Sequence, residues 1–193
     1  DLAGWTDMVR RMKHPTRQVS IGLVGKYVEY EDSYKSLKEA LLHGGLAHDA
    51  KVNITWIEAE KLKWPDAAAE LETFDGILVP GGFGSRGIEG KICAVRYARE
   101  NKVPYFGICL GMHMAVIEFA RNVAGMKGAH GEEFDDKSPF PVIYLMKEWY
   151  DEKTGRRERR DAHSDKGGTM RLGAYPCRLI EGTIAKAAYG QTD

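Results

Sequence analysis

Gly107-Ile108-Cys109-Leu110-Gly111 carries the strongest chemical signal in the chain. An apolar run precedes it and a helical pattern follows, which is the setting of a nucleophile elbow. Small residues two positions to either side of the nucleophile let a strand turn sharply into a helix and lift the side chain into a cleft. A cysteine so placed lies at a helix N-terminus, which favours thiolate over thiol. The thiolate attacks acyl carbons, and the backbone N–H of the next residue, Leu110, is a natural donor to the oxyanion that forms. A second segment, Pro80-Gly81-Gly82-Phe83-Gly84-Ser85-Arg86-Gly87, also follows an apolar run. It matches neither GxxxxGK[ST] nor GxGxxG, so a phosphate cradle is the weaker reading. Bare backbone that approaches a ligand and presents N–H groups suits an oxyanion loop facing the elbow. Cys93, within a helical pattern, and Cys177, after Pro176 at a predicted strand, read as small packed residues.

A thiolate hydrolase needs a general base, most often a histidine oriented by a third group. His14, His43, His48 and His163 stand in surface contexts. His113 follows Cys109 by one helical turn on the same face, and its side chain leans back toward the helix N-terminus. It reads as a substrate contact, because sharing a rigid helix with the nucleophile hinders in-line proton exchange. No predicted strand end joins a histidine to a nearby carboxylate. The triad is incomplete on this reading.

The elements that must position these groups alternate along the chain. Val19–Val24, closed by Gly25, reads as a buried parallel strand. Ser33 is placed to cap a helix carrying Tyr34, Leu37, Leu41 and Leu42, which Gly44-Gly45 weakens or ends. Val52–Ile57 is a strand; a loop at Trp64-Pro65 leads to a short helix over Ala67–Leu71 and then to the strand Gly76–Val79. Ile88, Ile92 and Val95 mark a helix, Val103–Phe106 a strand, and Met112, Ala115, Val116 and Phe119 the helix after it. Strands alternating with helices predict an α/β domain with a mostly parallel sheet and right-handed crossovers. Residues 1–17 hold Trp5, Met8, Val9 and Met12 at helical spacing before His14-Pro15, the pattern of an incoming linker helix. Residues 151–166 are dominated by charge and hold no large apolar side chain, which makes them a surface lid candidate. A last strand is predicted near Pro176–Ile180.

Composition narrows the classes further. The chain has 193 residues, 43% of them hydrophobic, enough for a domain with its own core. Lys plus Arg (28) equals Asp plus Glu (28), which argues against a basic nucleic-acid binder or an anionic-membrane binder. No apolar run reaches the roughly 18 residues that span a bilayer, and Asp1-Leu2-Ala3-Gly4-Trp5 has no signal-peptide character, so a cytoplasmic location is expected. Three cysteines without a CxxC pair fit neither a disulfide framework nor a zinc ribbon, and no metal site is expected.

The motifs together resemble the class I (triad) glutamine amidotransferases and, among them, the glutaminase domain of the CTP synthase family. The matching segments are Gly22-Leu23-Val24-Gly25-Lys26-Tyr27, Asp32-Ser33-Tyr34-Lys35-Ser36, Glu39-Ala40-Leu41 with His43-Gly44-Gly45, Val79-Pro80-Gly81-Gly82-Phe83-Gly84, Gly107 to Met112, and Gly167-Gly168-Thr169-Met170-Arg171-Leu172-Gly173. The elbow alone indicates the wider class; the GKY, YKS and GGTMRLG segments narrow it. The resemblance implies an open, mostly parallel sheet with helices on both faces, flavodoxin-like. It implies residues 1–17 as the linker from a synthetase (amidoligase) domain and 18–193 as the amidotransferase domain, whose C-terminal part would follow. The implied reaction is hydrolysis of L-glutamine through a cysteine thioester, with the ammonia used for ATP-dependent amination of UTP to CTP. Cys109 matches the nucleophile and Gly82 the glutamine and oxyanion contact, with Leu110 as the second oxyanion donor. Phe83, Leu110, Gly111, Met112 and His113 match positions lining the glutamine pocket, His113 standing where the family has glutamine. Glu133 matches the carboxylate that holds the α-amino group, and Arg160 an arginine tied to activation by GTP. The base histidine and its glutamate are expected from an F-H-P-E motif after Asp193. The domain itself would need no cofactor; ATP, Mg and UTP would belong to the synthetase domain of the same polypeptide, and the full-length enzyme would be a homo-oligomer, a tetramer. Two other readings share the elbow: another class I amidotransferase or a γ-glutamyl hydrolase, and a non-catalytic module of the same fold.

Overall fold

The computed structural model describes residues 2–26, 34–151, 155–159 and 176–190. They fall into two compact units, 1–146 and 147–193. In the first, a four-stranded sheet is built from β1 (Arg17–Gly25), β2 (Ala50–Glu58), β3 (Gly76–Val79) and β4 (Tyr105–Gly107), in the order β2-β1-β3-β4. All three pairings are parallel. Every residue of β3 is buried, which is why its sequence is an unbroken apolar run rather than an alternating one. β1 starts at Arg17, ahead of its apolar run, because Arg17 and Gln18 continue the pairing with Ala50 and Lys51 at the exposed end. Strands β1 and β3 are neighbours although β2 lies between them in the chain. The winding reverses there, leaving a crevice at the C-terminal ends of both strands, where open α/β sheets bind ligands.

The helices are α1 (Ala3–Lys13), α2 (Lys35–Ala47), α3 (Ala67–Leu71), α4 (Ile88–Asn101) and α5 (Leu110–Asn122). One core cluster contains Val24, Ile57, Leu71, Ile77, Val79 and Tyr97. The other contains Ile88, Ile92, Val95, Leu110, Met114 and Ile117, and Tyr105 packs against both. A further parallel pair, β5 (His130–Gly131) and β6 (Pro141–Ile143), frames the turn that carries Glu133.

Several expectations are corrected. Helix α2 does not stop at Gly44-Gly45: it continues to Ala47, and a Cβ at Gly45 would lie 2.5 Å from the Ala50 carbonyl oxygen. The glycine is a close-approach residue that lets the helix lie on the start of β2. Tyr34 takes the N-cap position, and Ser33 lies outside the described residues. On α5 the expected stripe is mostly reversed: Met112 is 53% exposed, Val116 40% and Phe119 54%, while Leu110, Met114, Ile117 and Glu118 face inward and, of the expected residues, Ala115 packs against the core. Both faces of this helix are apolar in sequence, and the inward one tolerates Glu118 because Arg99 of α4 grips its carboxylate at 2.8–3.1 Å and Asn122 adds a third donor at 3.0 Å. Strand β4 is shorter than expected, with Phe106 59% exposed.

In the second unit, β7 (Glu148–Asp151) and β8 (Arg156–Arg159) form an antiparallel hairpin where a charged loop was expected. Glu148 accepts from Arg157 at 2.8 Å, an exposed pair of the kind that contributes little on its own. α6 (Ile184–Tyr189) is capped by Thr183, whose hydroxyl accepts the Lys186 N–H at 3.2 Å, and it ends at Gly190 with φ +73°. The strand expected near Pro176–Ile180 does not form: these residues have no ladder partner among the described residues and are mostly exposed, Cys177 included. Arg160 and Gly167–Gly173 lie outside the described residues.

Candidate functional site

The turn from β4 into α5 is dictated by contacts that admit no side chain at its two glycines. A Cβ on Gly107 would lie 2.4 Å from the Gly111 carbonyl carbon, and one on Gly111 would lie 2.1 Å from the Val79 carbonyl oxygen. Between them Cys109 adopts φ +52°, ψ −105°, a conformation that L residues rarely take. Such strain, typically about 1–3 kcal/mol, persists only where the surroundings over-determine it. Here they do: the Ile108 N–H donates to the Val79 carbonyl at 3.0 Å, the Gly111 N–H to the Ile108 carbonyl at 2.9 Å, and the His113 N–H to the Cys109 carbonyl at 3.2 Å. Cys109 is exposed at the start of α5, as an elbow requires.

The glycine-rich segment after β3 faces this elbow. The Cβ direction of Gly81 ends 3.5 Å from the Cys109 Cβ, and that of Gly82 ends 3.5 Å from Leu110 Cδ2. Two side chains from distant segments hold the loop. Lys26, at the end of β1, donates to the Phe83 carbonyl and, at 3.4 Å, to that of Gly84. Glu133, in the turn after β5, accepts the Gly84 N–H at 3.2 Å. Arg86 closes the arrangement through the Lys26 carbonyl at 3.3 Å and Glu60 at 2.7 Å.

The structure thus brings Cys109, Gly82, Phe83, Leu110, Gly111, Met112, His113 and Glu133 to one end of the sheet, in unequal roles. Leu110 is 1% exposed with its side chain in the core, so that side chain offers the site no lining surface. Gly111 is buried against β3 and acts by packing. Phe83 and Met112 are about half exposed. His113 is half-buried, and burial lowers its pKa while Glu133 pulls the other way; the neutral imidazole is favoured, which suits hydrogen bonding better than charge pairing.

Three residues that sequence reasoning gave no role belong to the same region. Lys26 and Lys91 line a cavity of about 340 Å³ behind the glycine loop, together with Gly25, Tyr34 and Pro80 to Phe83. Lys91 is 2% exposed and reaches the Arg86 carbonyl at 3.5 Å. Burial, then the Lys26 and Arg86 charges, push its pKa down to about 8. Its position, three residues after Ile88 and four before Val95, falls on the inward stripe of α4, and this was the available signal. The third, Tyr105, donates its hydroxyl to the Gly111 carbonyl at 2.7 Å. Cys93 is half-buried in α4, and burial raises its thiol pKa. Among the described residues, no group of three or more His, Cys, Asp or Glu side chains is arranged to hold a metal ion.

The family model for class I glutamine amidotransferases matches residues 29–192. The chain belongs to this amidotransferase family. Over its full length it is 56% identical to a CTP synthase of Maridesulfovibrio salexigens and 59% identical to one of Acidobacterium capsulatum, covering 35% and 33% of those proteins. It therefore spans about a third of the length of the curated relatives it matches. Among solved structures, the glutaminase domain of Trypanosoma brucei CTPS with bound acivicin is 42% identical with a TM-score of 0.63, the match covering 66% of this chain and 50% of that one. The α/β architecture with its parallel sheet is that of a class I amidotransferase, as the motifs led one to expect.

Proposed function

We propose that this chain is the glutaminase domain of a CTP synthase and that Cys109 is its nucleophile. The observation that carries the reading is the strained, exposed Cys109 at the head of α5 facing the Gly81-Gly82 backbone. The Cys109 thiolate attacks the carboxamide carbon of L-glutamine. The carbonyl oxygen becomes an oxyanion, met by the N–H groups of Gly82 and Leu110, and such preorganised donors are worth about 10²–10³ in rate each. The C–N bond then breaks, the nitrogen taking a proton from a general acid and leaving as ammonia. Water, deprotonated by the same group, attacks the thioester carbon and releases glutamate with the thiol restored.

Glu133 pairs with the substrate α-ammonium, a charge that must find an anion when it leaves water. Phe83, Met112 and His113 line the pocket, with His113 as a neutral hydrogen-bonding group. The acid–base histidine and its glutamate would come from a segment C-terminal to Asp193, and a synthetase domain would precede the linker helix α1. In the whole protein the ammonia would aminate UTP activated by ATP with Mg, GTP would activate through a region including Arg160, and the assembly would be a cytoplasmic homotetramer. Among the described residues no helix is long and apolar enough to cross a membrane.

The experiment is Cys109→Ala in the full-length protein. Glutamine-dependent CTP formation is expected to vanish while ammonia-dependent formation persists, since only the nitrogen source is cut. The electrophile 6-diazo-5-oxo-norleucine is expected to label Cys109 and neither Cys93 nor Cys177. Label on Cys93, or loss of both activities in a folded variant, overturns the assignment.

A further inference from the structure

We infer that Tyr105 is a positioning residue for the nucleophile: its hydroxyl, bonded to the Gly111 carbonyl, holds the first turn of α5 so that Cys109 and the Leu110 N–H keep their attack geometry. The role of Cys109 here rests on the proposed glutaminase reading. Tyr105 opens β4, in register with Ile77 of β3, and its ring packs between the two core clusters. A ring so held cannot swing, and its hydroxyl reaches the Gly111 carbonyl at 2.7 Å. Gly111 is thereby fixed on three sides: its N–H by the Ile108 carbonyl at 2.9 Å, its Cα by the Val79 carbonyl that leaves no room for a Cβ, and its C=O by Tyr105.

Such a bond is not needed to satisfy the helix. A carbonyl in the first turn of an α-helix already accepts the N–H four residues on, so the phenol is an additional donor from outside the helix. Nor is it needed to fill the core, since phenylalanine has the same ring. What the hydroxyl adds is a lateral restraint at the residue two positions after Cys109, whose backbone lies at φ +52° and would relax if the first turn of α5 moved away from β3 and β4. Burial raises the phenol pKa well above its ordinary value, so the group stays protonated and remains a donor throughout the working range.

The test is Tyr105→Phe in the full-length protein. One buried hydrogen bond used for positioning predicts a fall in the kcat of glutamine hydrolysis of about 5–20-fold. KM for glutamine is expected to stay within about twofold of wild type, because the substrate-holding groups are untouched. Modification of Cys109 by iodoacetamide is expected to slow in parallel. A lowered thermal midpoint with unchanged kcat and unchanged alkylation would mean that the bond is structural only, and a raised KM at constant kcat would mean that Tyr105 serves binding. Either result overturns the inference. Absence of glutamine hydrolysis in the wild type would refute the proposed function instead, while the alkylation comparison would still decide the role of Tyr105. Should the variant fail to fold, the wild-type hydroxyl decides: the Tyr105 O–H proton is expected to exchange slowly enough to be observed by NMR, and exchange as fast as that of a solvent-exposed tyrosine hydroxyl refutes the clamp.

Discussion

Lys91→Met replaces a buried amine with an apolar side chain of similar length, and the structure sets how much that should matter and at which pH. Lys91 is 2% exposed, and burial with the neighbouring Lys26 and Arg86 charges brings its pKa from the ordinary 10.5 to about 8, Glu60 opposing only in part. At about 1.4 kcal/mol per tenfold change in the proton equilibrium, that difference amounts to about 3 kcal/mol. The sign follows from proton counts. Between about pH 8 and pH 10.5 the folded chain holds fewer protons at this site than the unfolded chain, so wild-type stability gains from this residue as pH rises through the window. Below the folded pKa the full penalty is present, and a methionine there escapes it, consistent with the neutral or stabilising effect of replacing buried charge by well-packed apolar groups. Thermal midpoints of wild type and Lys91→Met would be compared from about pH 7 to about pH 10 in matched buffers. The variant is expected to lead by about 5–10 °C near neutrality for a domain of this size, and the lead is expected to shrink toward zero at the alkaline end. A lead that does not change with pH, or a variant less stable at every pH, would show that the Lys91 amine is accommodated at no electrostatic cost and would refute the reasoning.

Two further outcomes test the elbow and the proposed regulation. Gly111→Ala places a Cβ 2.1 Å from the Val79 carbonyl oxygen and must push α5 off β3; glutaminase turnover is expected to fall by at least about 10²-fold in kinetic assays, as for loss of an oxyanion donor. Gly125→Ala, at φ +71° but in open space, serves as its control, with a cost of about 1 kcal/mol in thermal unfolding and unchanged turnover. Arg160→Ala in the full-length protein is expected to remove most stimulation of glutaminase by GTP while basal hydrolysis persists; equal stimulation in both proteins would return the charged stretch to a solvated surface.

What the sequence made legible was local. β3 and α3 begin and end where apolar runs and breakers place them, Gly76–Val79 and Ala67–Leu71, because each is short and bounded by residues of opposite character. The elbow was legible for the same reason, since two glycines around a cysteine between an apolar strand and a helix form one contiguous signal. What was not legible depended on distant partners. The buried face of α5 is chosen by contacts with α4 and the sheet, and Glu118 enters it only because Arg99 is there, nineteen positions away. Gly45 looks like a helix breaker until Ala50 is seen beneath it. Charge patterning likewise hid the antiparallel hairpin of β7 and β8, in which Glu148, Arg156, Arg157 and Arg159 are exposed.

The site itself joins these two kinds of information. The elbow motif specifies that Cys109 can be strained, but a strained backbone left alone relaxes. What holds it is supplied by β3 through Val79, by β4 through Gly107 and Tyr105, and by the loop whose Gly81 backbone meets Cys109. That loop is in turn fixed from β1 by Lys26 and from the turn after β5 by Glu133, one cation and one anion gripping a carbonyl and an N–H of the same short segment. The contacts from Val79, Lys26 and Glu133 span tens of residues, and they come from the C-terminal end of a strand or the turn that follows one, whereas those from Gly107 and Tyr105 are local. A parallel sheet gathers such ends at one edge, so the geometry that sets Cys109 against the Gly81-Gly82 backbone is a consequence of strand order, with the motif supplying only the residue types able to occupy it.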